Sequence, residues 1–334
     1  MPDCPTYGFC PQTSLRLTFF DLAELGYLTW SPQSVMPEII YCDGDSVSFT
    51  VTESNFSFNH ICGNHLRDTN EFAPLATHLV PRSSTTAAVQ YPLLALRVTL
   101  FPDSGICVGQ TFNHVAADGI SATHFMKFWA SVCSNLGGEA KGLLSHSLPS
   151  YDRTTIIDPH GIEKAYLNYL KKINITQHSF ILPTIPTDPI HDKVVATFIM
   201  DSQSIEKLKK WILRRAIKKN PYFILSSVEN LLDEFFAPNT DTDTERLIGI
   251  FGSPKMGAYD VNFGWGRPNK FEIVLSNEDH GYLVLSERGD NIDRGFEISV
   301  TLKKLEMAAF ASFFPDTLSS LLHASSALPL LSKY

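Results

Sequence analysis

The sequence predicts a mixed α/β protein of two domains, and three features support this prediction. The length of 334 residues suggests about two domains. Apolar runs typical of strands alternate with amphipathic stretches typical of helices in both halves of the chain. Residues 174–193 are rich in proline, threonine and aspartate, a composition typical of a linker. We therefore expect a domain 1–173, a linker 174–193 and a domain 194–334.

The composition narrows the classes of function. Apolar residues make up 44% and charged residues 19% of the chain, as in ordinary globular proteins. The net charge of -8 and the absence of a basic domain argue against nucleic acid as a partner. The first residues lack the pattern of a signal peptide, and no run of 18 apolar residues occurs. We therefore expect a cytoplasmic protein without a membrane partner.

The six cysteines have irregular spacings and include no C-x-x-C pair. We expect free thiols and no metal site. His60 and His65 are five positions apart, a spacing that does not bring two side chains together on a helix. We expect both in a loop and without a metal.

In the first half, two apolar runs at 91–100 and 106–112 flank the turn-rich segment 101–105 and predict an antiparallel pair. Helical periodicity begins at Ile120. Residues 39–41 and 47–51, joined at Asp43-Gly44-Asp45, predict a hairpin.

His114, Asp118 and Gly119 form the pattern H-x-x-x-D-G between the strand 106–112 and this helix. A histidine that leaves a strand into a turn can keep one ring nitrogen free for proton transfer, while the carboxylate four residues later fixes the turn. The arrangement is typical of a general base. Such a pattern occurs by chance in roughly one chain in thirty of this composition, so it does not identify a function by itself.

The second half alternates strands and helices. We expect a helix capped by Asp201 or Ser202, whose apolar stripe faces inward, and a last helix with a kink or break at Pro315. The remaining elements are predicted as strands at 194–200, 247–251, 270–275, 282–285 and 296–302, helical stretches at 163–173 and 221–236, and a polar loop at 239–244.

A second motif, Asn262-Phe263-Gly264-Trp265-Gly266, resembles the D-F-G-W-G signature of the plant BAHD acyltransferases. That family also carries H-x-x-x-D-G, and the two motifs occur here in the family's order, one in each half of the chain. The segments 46–70 and 148–153 resemble the flavonoid and phenolic glucoside malonyltransferase branch.

The resemblance implies a two-domain, chloramphenicol-acetyltransferase-like fold with a channel between the domains. An acyl-coenzyme A co-substrate, malonyl-coenzyme A in this branch, would enter from one side and a phenolic or flavonoid glucoside from the other, with no permanently bound cofactor. It further implies that His114 is the general base, that Asp118 points away from the channel and fixes the loop, and that the Trp265 segment is structural or assists the oxyanion. We also expect a monomer.

The chain departs from the family in two ways. Asn262 stands where the family has aspartate, so a charge pair of that aspartate with an arginine would be lost or replaced by neutral hydrogen bonds. The resemblance also indicates that family segments are missing near 34–37 and between 224 and 245, including the Y-F-G-N-C motif of this branch. A stripe of lysine and arginine at 207–219 is either a solvated helix face or an attraction for coenzyme A phosphates.

Three functions therefore compete. The first is a coenzyme A-dependent O-acyltransferase of the malonyl type. The second is a truncated, non-catalytic remnant of the family, with an open channel and a tendency to aggregate through uncovered apolar surface. The third is an acyltransferase of the hydroxycinnamoyl type. A serine or cysteine hydrolase is disfavoured because no G-x-S-x-G elbow occurs.

Overall fold

The computed structural model describes residues 26–30, 37–42, 45–83, 89–134, 157–159, 161–172, 192–216, 248–275, 281–290 and 295–326. Strands and helices alternate along these ranges, as the sequence predicts. The strands are β1 (Tyr27–Thr29), β2 (Glu38–Ile40), β3 (Ser48–Glu53), β4 (Arg67–Asp68), β5 (Arg82–Ser83), β6 (Val89–Pro92), β7 (Leu94–Phe101), β8 (Gly105–Phe112), β9 (Lys193–Met200), β10 (Ile248–Gly252), β11 (Gly281–Glu287) and β12 (Phe296–Lys303). The α-helices are α1 (Phe58–Ile61), α2 (Gly119–Ser134), α3 (Ile162–Lys172), α4 (Ser202–Ala216) and α5 (Lys304–Ser326).

The described strands form three sheets. A four-stranded antiparallel sheet has the order β2-β1-β6-β5, and a three-stranded sheet has the order β3-β7-β8. A five-stranded sheet has the order β10-β11-β12-β9-β4. The latter two sheets are mixed, because β3 runs parallel to β7 and β10 runs parallel to β11. The mixed α/β class predicted from the sequence is confirmed.

The five-stranded sheet contains strands from both sides of the predicted linker. The short strand β4 pairs antiparallel with β9, so that Arg67 lies opposite Val195. Most of the linker 174–193 lies outside the described residues. The division into domains 1–173 and 194–334 therefore stays a prediction.

The hairpin that leads to His114 forms as predicted. β7 and β8 pair antiparallel from Leu94↔Phe112 to Phe101↔Gly105. The 3₁₀ turn Ala73–Leu75 packs against β8 at Gly109, where an added Cβ atom would overlap the Leu75 carbonyl oxygen. Only glycine allows this close approach between two backbones.

Two apolar clusters hold the elements around this hairpin and the larger sheet. Val194 and Val300 of the five-stranded sheet pack with Ile205 of α4 and Met307 of α5. Beside the predicted catalytic turn, Ala117 and Ala122 form a smaller cluster on which Phe112 and Phe125 pack. This second cluster fixes the start of α2 against the end of β8.

Most of the predicted elements are confirmed. β9, β10, β11 and β12 form where strands were predicted at 194–200, 247–251, 282–285 and 296–302, and α3 forms where a helix was predicted at 163–173. Asp201 caps α4, since its Oδ1 accepts a hydrogen bond from the Ser204 amide at 2.6 Å. The predicted helical stretch 221–236 and polar loop 239–244 lie outside the described residues. So does the range 224–245, in which a family segment was inferred to be missing.

The predicted hairpin of 39–41 with 47–51 is wrong. β2 pairs with β1, and β3 pairs with β7, so the two strands belong to different sheets. An Asp-Gly turn signals a change of direction, but the partner of a strand is decided by which distant strand covers its edge.

The predicted strand 270–275 is also wrong, because this segment forms no ladder in the described structure. Side-chain hydroxyls take the place of a neighbouring strand. The Phe271 amide donates to the Tyr259 hydroxyl at 3.2 Å, and the Leu275 amide donates to the Tyr282 hydroxyl at 3.1 Å.

The chain was predicted to kink or break at Pro315; the break does not occur, since α5 continues through this residue to Ser326, and the kink stays a prediction. Phe310, Phe314 and Leu318, on either side of the proline, pack against the cluster of the five-stranded sheet. Proline removes one backbone hydrogen bond from the helix, and the burial of this face outweighs that loss. Of the described helices, none is long and apolar enough to cross a membrane.

Candidate active site

The turn that carries His114 is fixed by the residue before it. The Asn113 amide donates to the Leu93 carbonyl at 2.8 Å, which ties the end of β8 to the residue before β7. Asn113 also accepts two hydrogen bonds from amides of the turn. Its side-chain Oδ1 accepts from the Val115 amide at 3.2 Å, and its backbone carbonyl accepts from the Ala116 amide at 2.8 Å. The His114 side chain is thereby presented at the exposed end of the hairpin.

Asp118 caps α2. Its Oδ1 accepts a hydrogen bond from the Ser121 amide at 2.7 Å, and its carbonyl accepts from the Ala122 amide at 2.9 Å. The pKa of Asp118 is lowered, mainly by the hydrogen bonds from the backbone and side chain of Ser121, with a smaller contribution from the nearby His114. The carboxylate thus fixes the start of α2.

The His114 imidazole has no hydrogen-bond partner among the described residues, and its ring lies 5.8 Å from the Phe112 ring, centroid to centroid. A ring nitrogen is therefore free to accept a proton from an approaching hydroxyl.

Gly119, expected in the turn after the base, is the first residue of α2, and a Cβ there would lie 2.8 Å from the Met256 Cε.

The second motif forms a compact turn around Asn262. The Asn262 Oδ1 accepts hydrogen bonds from the amides of Gly264 at 2.8 Å and Gly266 at 3.0 Å. Both glycines have positive φ angles, +97° and +103°, which residues other than glycine rarely adopt. A carboxamide thus makes the two backbone contacts that hold this turn.

The neighbouring charge pair is made by a different residue. Arg267 donates to the Tyr259 carbonyl at 2.9 Å and to the Asp260 carboxylate at 3.3 Å. Asn262 therefore makes neutral hydrogen bonds to backbone amides, and the carboxylate beside Arg267 is that of Asp260.

The second motif packs along α2. Phe263 meets Trp129 edge to face with centroids 5.0 Å apart, and it stacks on Trp265 at 5.9 Å. Lys127 approaches the Asp260 carboxylate at 3.5 Å. One helix therefore carries H-x-x-x-D-G at its start and supports the second motif about 15 Å further along, at 1.5 Å per residue.

Trp265 is 73% exposed, and neither ring of the second motif contacts the His114 ring in the described structure. These contacts favour the structural role for this segment. The role in binding the oxyanion stays a prediction.

A buried polar cluster near the second motif was not predicted from the sequence. It contains the side chains of Arg67, Tyr259, Lys270, Glu272 and Glu297. One sequence feature could have indicated this cluster: in Lys270-Phe271-Glu272, two opposite charges flank an aromatic residue inside an apolar, strand-like run.

His60 and His65 lie closer together than their spacing suggested. The His65 Nε2 and His60 Nδ1 are 2.9 Å apart, and the His60 Nε2 lies 2.9 Å from a Glu71 carboxylate oxygen. His60 belongs to the short helix α1 and His65 to the loop after it. Within the described ranges, no group of three or more acidic, histidine or cysteine side chains is arranged to hold a metal ion.

The four cysteines in the described ranges, Cys42, Cys62, Cys107 and Cys133, form no disulfide bonds with one another. Burial raises the pKa of Cys107 to about 11, with a smaller contribution from Cys62.

On α4, Lys209 pairs with Glu206 at 2.9 Å on an exposed face, which favours a solvated helix surface over a phosphate site at this position.

The model of the Transferase family matches residues 19–233 and 225–317, which is most of the chain. The protein belongs to this family, the BAHD acyltransferases. The match spans both motifs and joins them in one known family.

Among the relatives of this BAHD protein is phenolic glucoside malonyltransferase 1 of Nicotiana tabacum, 28% identical over 93% of this chain and 87% of the relative. The malonyl-coenzyme:anthocyanin 5-O-glucoside-6'''-O-malonyltransferase of Salvia splendens is 27% identical over 90% of this chain and 81% of its own. Agmatine coumaroyltransferase of Arabidopsis thaliana is 28% identical over 90% of this chain and 84% of its own. The crystal structure of vinorine synthase aligns with a TM-score of 0.48 and 13% identity over 86% of this chain and 79% of its own.

The alignment with the tobacco relative extends over 399 positions, which exceeds the 334 residues of this BAHD chain. The relative therefore contains internal segments that have no counterpart here. This agrees with the shortening inferred from the sequence.

Proposed function

We propose that this chain transfers an acyl group from a coenzyme A thioester to a hydroxyl of a phenolic or flavonoid glucoside, with His114 as the general base. The observation that carries the proposal is the His114 imidazole, which has no hydrogen-bond partner among the described residues and lies at the exposed end of β8, next to a helix start capped by Asp118. The described structure holds the backbone on both sides of this ring while the ring nitrogens face no protein donor.

The chemistry follows from that geometry. A ring nitrogen of His114 takes the proton of the acceptor hydroxyl as its oxygen attacks the thioester carbonyl. The tetrahedral intermediate then expels the coenzyme A thiolate, which receives the proton from the imidazolium. The new ester, free coenzyme A and a neutral His114 result, so no residue of the enzyme is consumed.

The malonyl group is the preferred acyl group in this proposal. The support comes from the tobacco and Salvia relatives, whose names specify malonyl transfer, and from the branch resemblance of segments 46–70 and 148–153. A coumaroyltransferase relative is similarly identical, so overall identity does not separate the two donors. We infer that the protein is a cytoplasmic monomer and that its two substrates are the acyl-coenzyme A and the glucoside.

The first prediction tests the base. We expect the purified chain to release free thiol from malonyl-coenzyme A when a flavonoid glucoside is added, and we expect His114→Ala to lower the rate ~10²- to 10⁴-fold. His78→Ala, which changes another exposed histidine, is the matched control and should keep the original rate.

Mass spectrometry of the acceptor identifies the group transferred. A folded His114→Ala protein with the original rate would refute the assignment of the base. Faster consumption of p-coumaroyl-coenzyme A in competition would instead place the enzyme among the hydroxycinnamoyl-type transferases.

A non-catalytic remnant is the second candidate, and exposed apolar residues favour it. Ile250 on the edge strand β10 is 69% exposed, and Phe49 on the edge strand β3 is 54% exposed. Exposed apolar edge strands invite association between chains. This candidate requires no thiol release with any donor and a broad or aggregated profile on a sizing column, whereas the enzyme requires a monomer with a cooperative melt.

A further inference from the structure

The buried polar cluster introduced above joins three parts of the chain that are distant in sequence. The Arg67 side chain is fully buried, and it donates to the Ile61 carbonyl at 2.8 Å, to Thr197 at 3.3 Å and to Glu272 at 3.0 Å. Lys270 donates to Thr197 at 3.0 Å and to Glu297 at 2.9 Å. Two cations and two carboxylates are thus balanced in the interior.

Tyr259 connects this cluster to the second motif. Its hydroxyl donates to Glu297 at 3.0 Å and accepts from the Phe271 amide at 3.2 Å. Its own amide donates to Glu287 at 3.3 Å, and its carbonyl accepts from Arg267 at 2.9 Å. The tyrosine is 1% exposed, and every polar atom of the residue is bound within the protein.

The hydrogen bonds continue from Tyr259 to α2. Arg267 contacts Asp260, Asp260 contacts Lys127 of α2 at 3.5 Å, and Phe263 packs on Trp129 of the same helix. The start of α2 is the Asp118 cap beside His114. A packed helix is a rigid element that can carry energetic coupling between the groups at its two ends.

We propose that Tyr259 and Glu297 are positioning residues, which fix the second motif and thereby set the position of α2 and of the His114 turn. The proposal rests on the proposed function for its effect on catalysis. Its structural part, the coupling of the buried cluster to α2, stands independently. Neither residue touches the His114 ring in the described structure, so the expected effect is on the rate at saturation more than on substrate binding.

The test uses fluorine NMR of the full chain labelled with 5-fluorotryptophan, which reports on Trp129 and Trp265 without any need for activity. The chain has four tryptophans, and single Trp→Phe changes assign their resonances. Tyr259→Phe removes the hydroxyl and keeps the ring beside Gly289, where the fit is close. We expect the Trp129 and Trp265 resonances to shift or broaden, while that of Trp30 stays in place.

Tyr282→Phe is the matched control. Tyr282 is also buried, and its hydroxyl also accepts from an amide of the extended segment, that of Leu275. Its ring contacts Phe251 of β10. We expect this variant to leave the Trp129 and Trp265 resonances unchanged.

In an active preparation, Tyr259→Phe and Glu297→Gln should lower kcat about tenfold with KM within about twofold of the original. The proposal fails if the Trp129 and Trp265 resonances of Tyr259→Phe match those of the original protein, or if Tyr282→Phe moves them equally. Absence of turnover in the original protein refutes the proposed function alone, since the resonances still decide the coupling.

Asp260→Asn keeps the test decisive if Tyr259→Phe does not fold. Asp260 is exposed, so its replacement leaves the interior intact while it removes the charge between Arg267 and Lys127. A selective shift of Trp129 and Trp265 supports the coupling, and unchanged resonances overturn it.

Discussion

At the scale of single residues, two side chains of the H-x-x-x-D-G motif have separate tasks. His114 offers an imidazole without a protein partner among the described residues, and Asp118 uses its carboxylate on the Ser121 amide. An aspartate that caps a helix accepts orphan backbone donors and favours the positive end of the helix dipole. The carboxylate therefore orders the turn without acting on the imidazole through a hydrogen bond.

The second prediction concerns Asp118. Replacement by alanine removes the cap, so Asp118→Ala should destabilise the protein by about 1 kcal/mol, whereas Asp118→Asn, which keeps an acceptor oxygen, should cost only a few tenths. Thermal melts at pH 7 measure both variants. Because the folded pKa is lowered, the contribution of the charge is present above the ordinary pKa and is lost as pH falls through the folded value. Equal losses for the two variants would contradict the capping role.

The third prediction concerns Cys107, whose thiol packs against the cluster of Ile61, Phe101 and Val195. Burial raises its pKa from 9.0 to about 11, so at pH 8 the reactive thiolate is ~100-fold scarcer than for an unperturbed thiol. Alkylation by iodoacetamide, followed by peptide mass spectrometry, should label Cys107 much more slowly than Cys42.

The raised pKa also predicts the direction of a pH effect on stability. The unfolded thiol loses its proton first, so this contribution to folding is present below pH 9 and is lost as pH rises through about 11. Equal labelling of Cys107 and Cys42 at pH 8 in the folded protein would show that the thiol is accessible.

At the scale of elements, α2 and the turn of the second motif depend on each other. The turn is held by Asn262 and by two glycines of positive φ, and it packs Phe263 onto Trp129. Since the motif makes no contact with His114 in the described residues, its glycines act through the shape of the turn.

The fourth prediction tests that shape. Gly266 has φ of +103° and nothing within 4 Å of an added Cβ, so Gly266→Ala changes backbone strain without a steric clash. We expect a loss of roughly 1–3 kcal/mol in thermal or urea unfolding. Gly119→Ala is the control, because there an added Cβ meets only the flexible end of Met256. A loss for Gly119→Ala as large as that for Gly266→Ala would point to packing instead of strain.

At the scale of the whole molecule, one sheet unites the two halves of the chain. β4 joins β9 on the far side of the predicted linker, and the buried Arg67 of β4 reaches Glu272 beyond the second motif. A buried charge is tolerated only when it is paired and its remaining donors are bound. The fold of the second half therefore depends on a residue of the first.

The fifth prediction follows from this pairing. Arg67→Met leaves Glu272 buried beside fewer donors and should destabilise the protein by about 3–5 kcal/mol in a melt. Replacing both partners, Arg67→Met with Glu272→Leu, should recover much of the loss because no charge is left unpaired. Lys209→Met, which breaks an exposed pair with Glu206, is the control and should change the melting temperature little. A double variant less stable than Arg67→Met would contradict this account.

Local signals in the sequence were sufficient for the elements around His114. The turn 101–105, the strands on either side and the helix from Ile120 were predicted because each is specified by neighbouring residues. The two motifs likewise indicated the family by themselves, since their residue types and order are readable in the chain. The acyl group and the class of acceptor stay proposals, because a substrate pocket is shaped by residues from many segments.

Tertiary structure alone decided the partners. No local feature tells β2 to pair with β1, or β3 to run parallel to β7, or β4 to join a sheet formed more than a hundred residues later. The same holds for the segment 270–275, whose pattern suits a strand but whose amides bind the hydroxyls of Tyr259 and Tyr282. The physical reason is that pairing and burial depend on which distant surfaces meet, and the local pattern records only that a residue prefers to be extended or apolar.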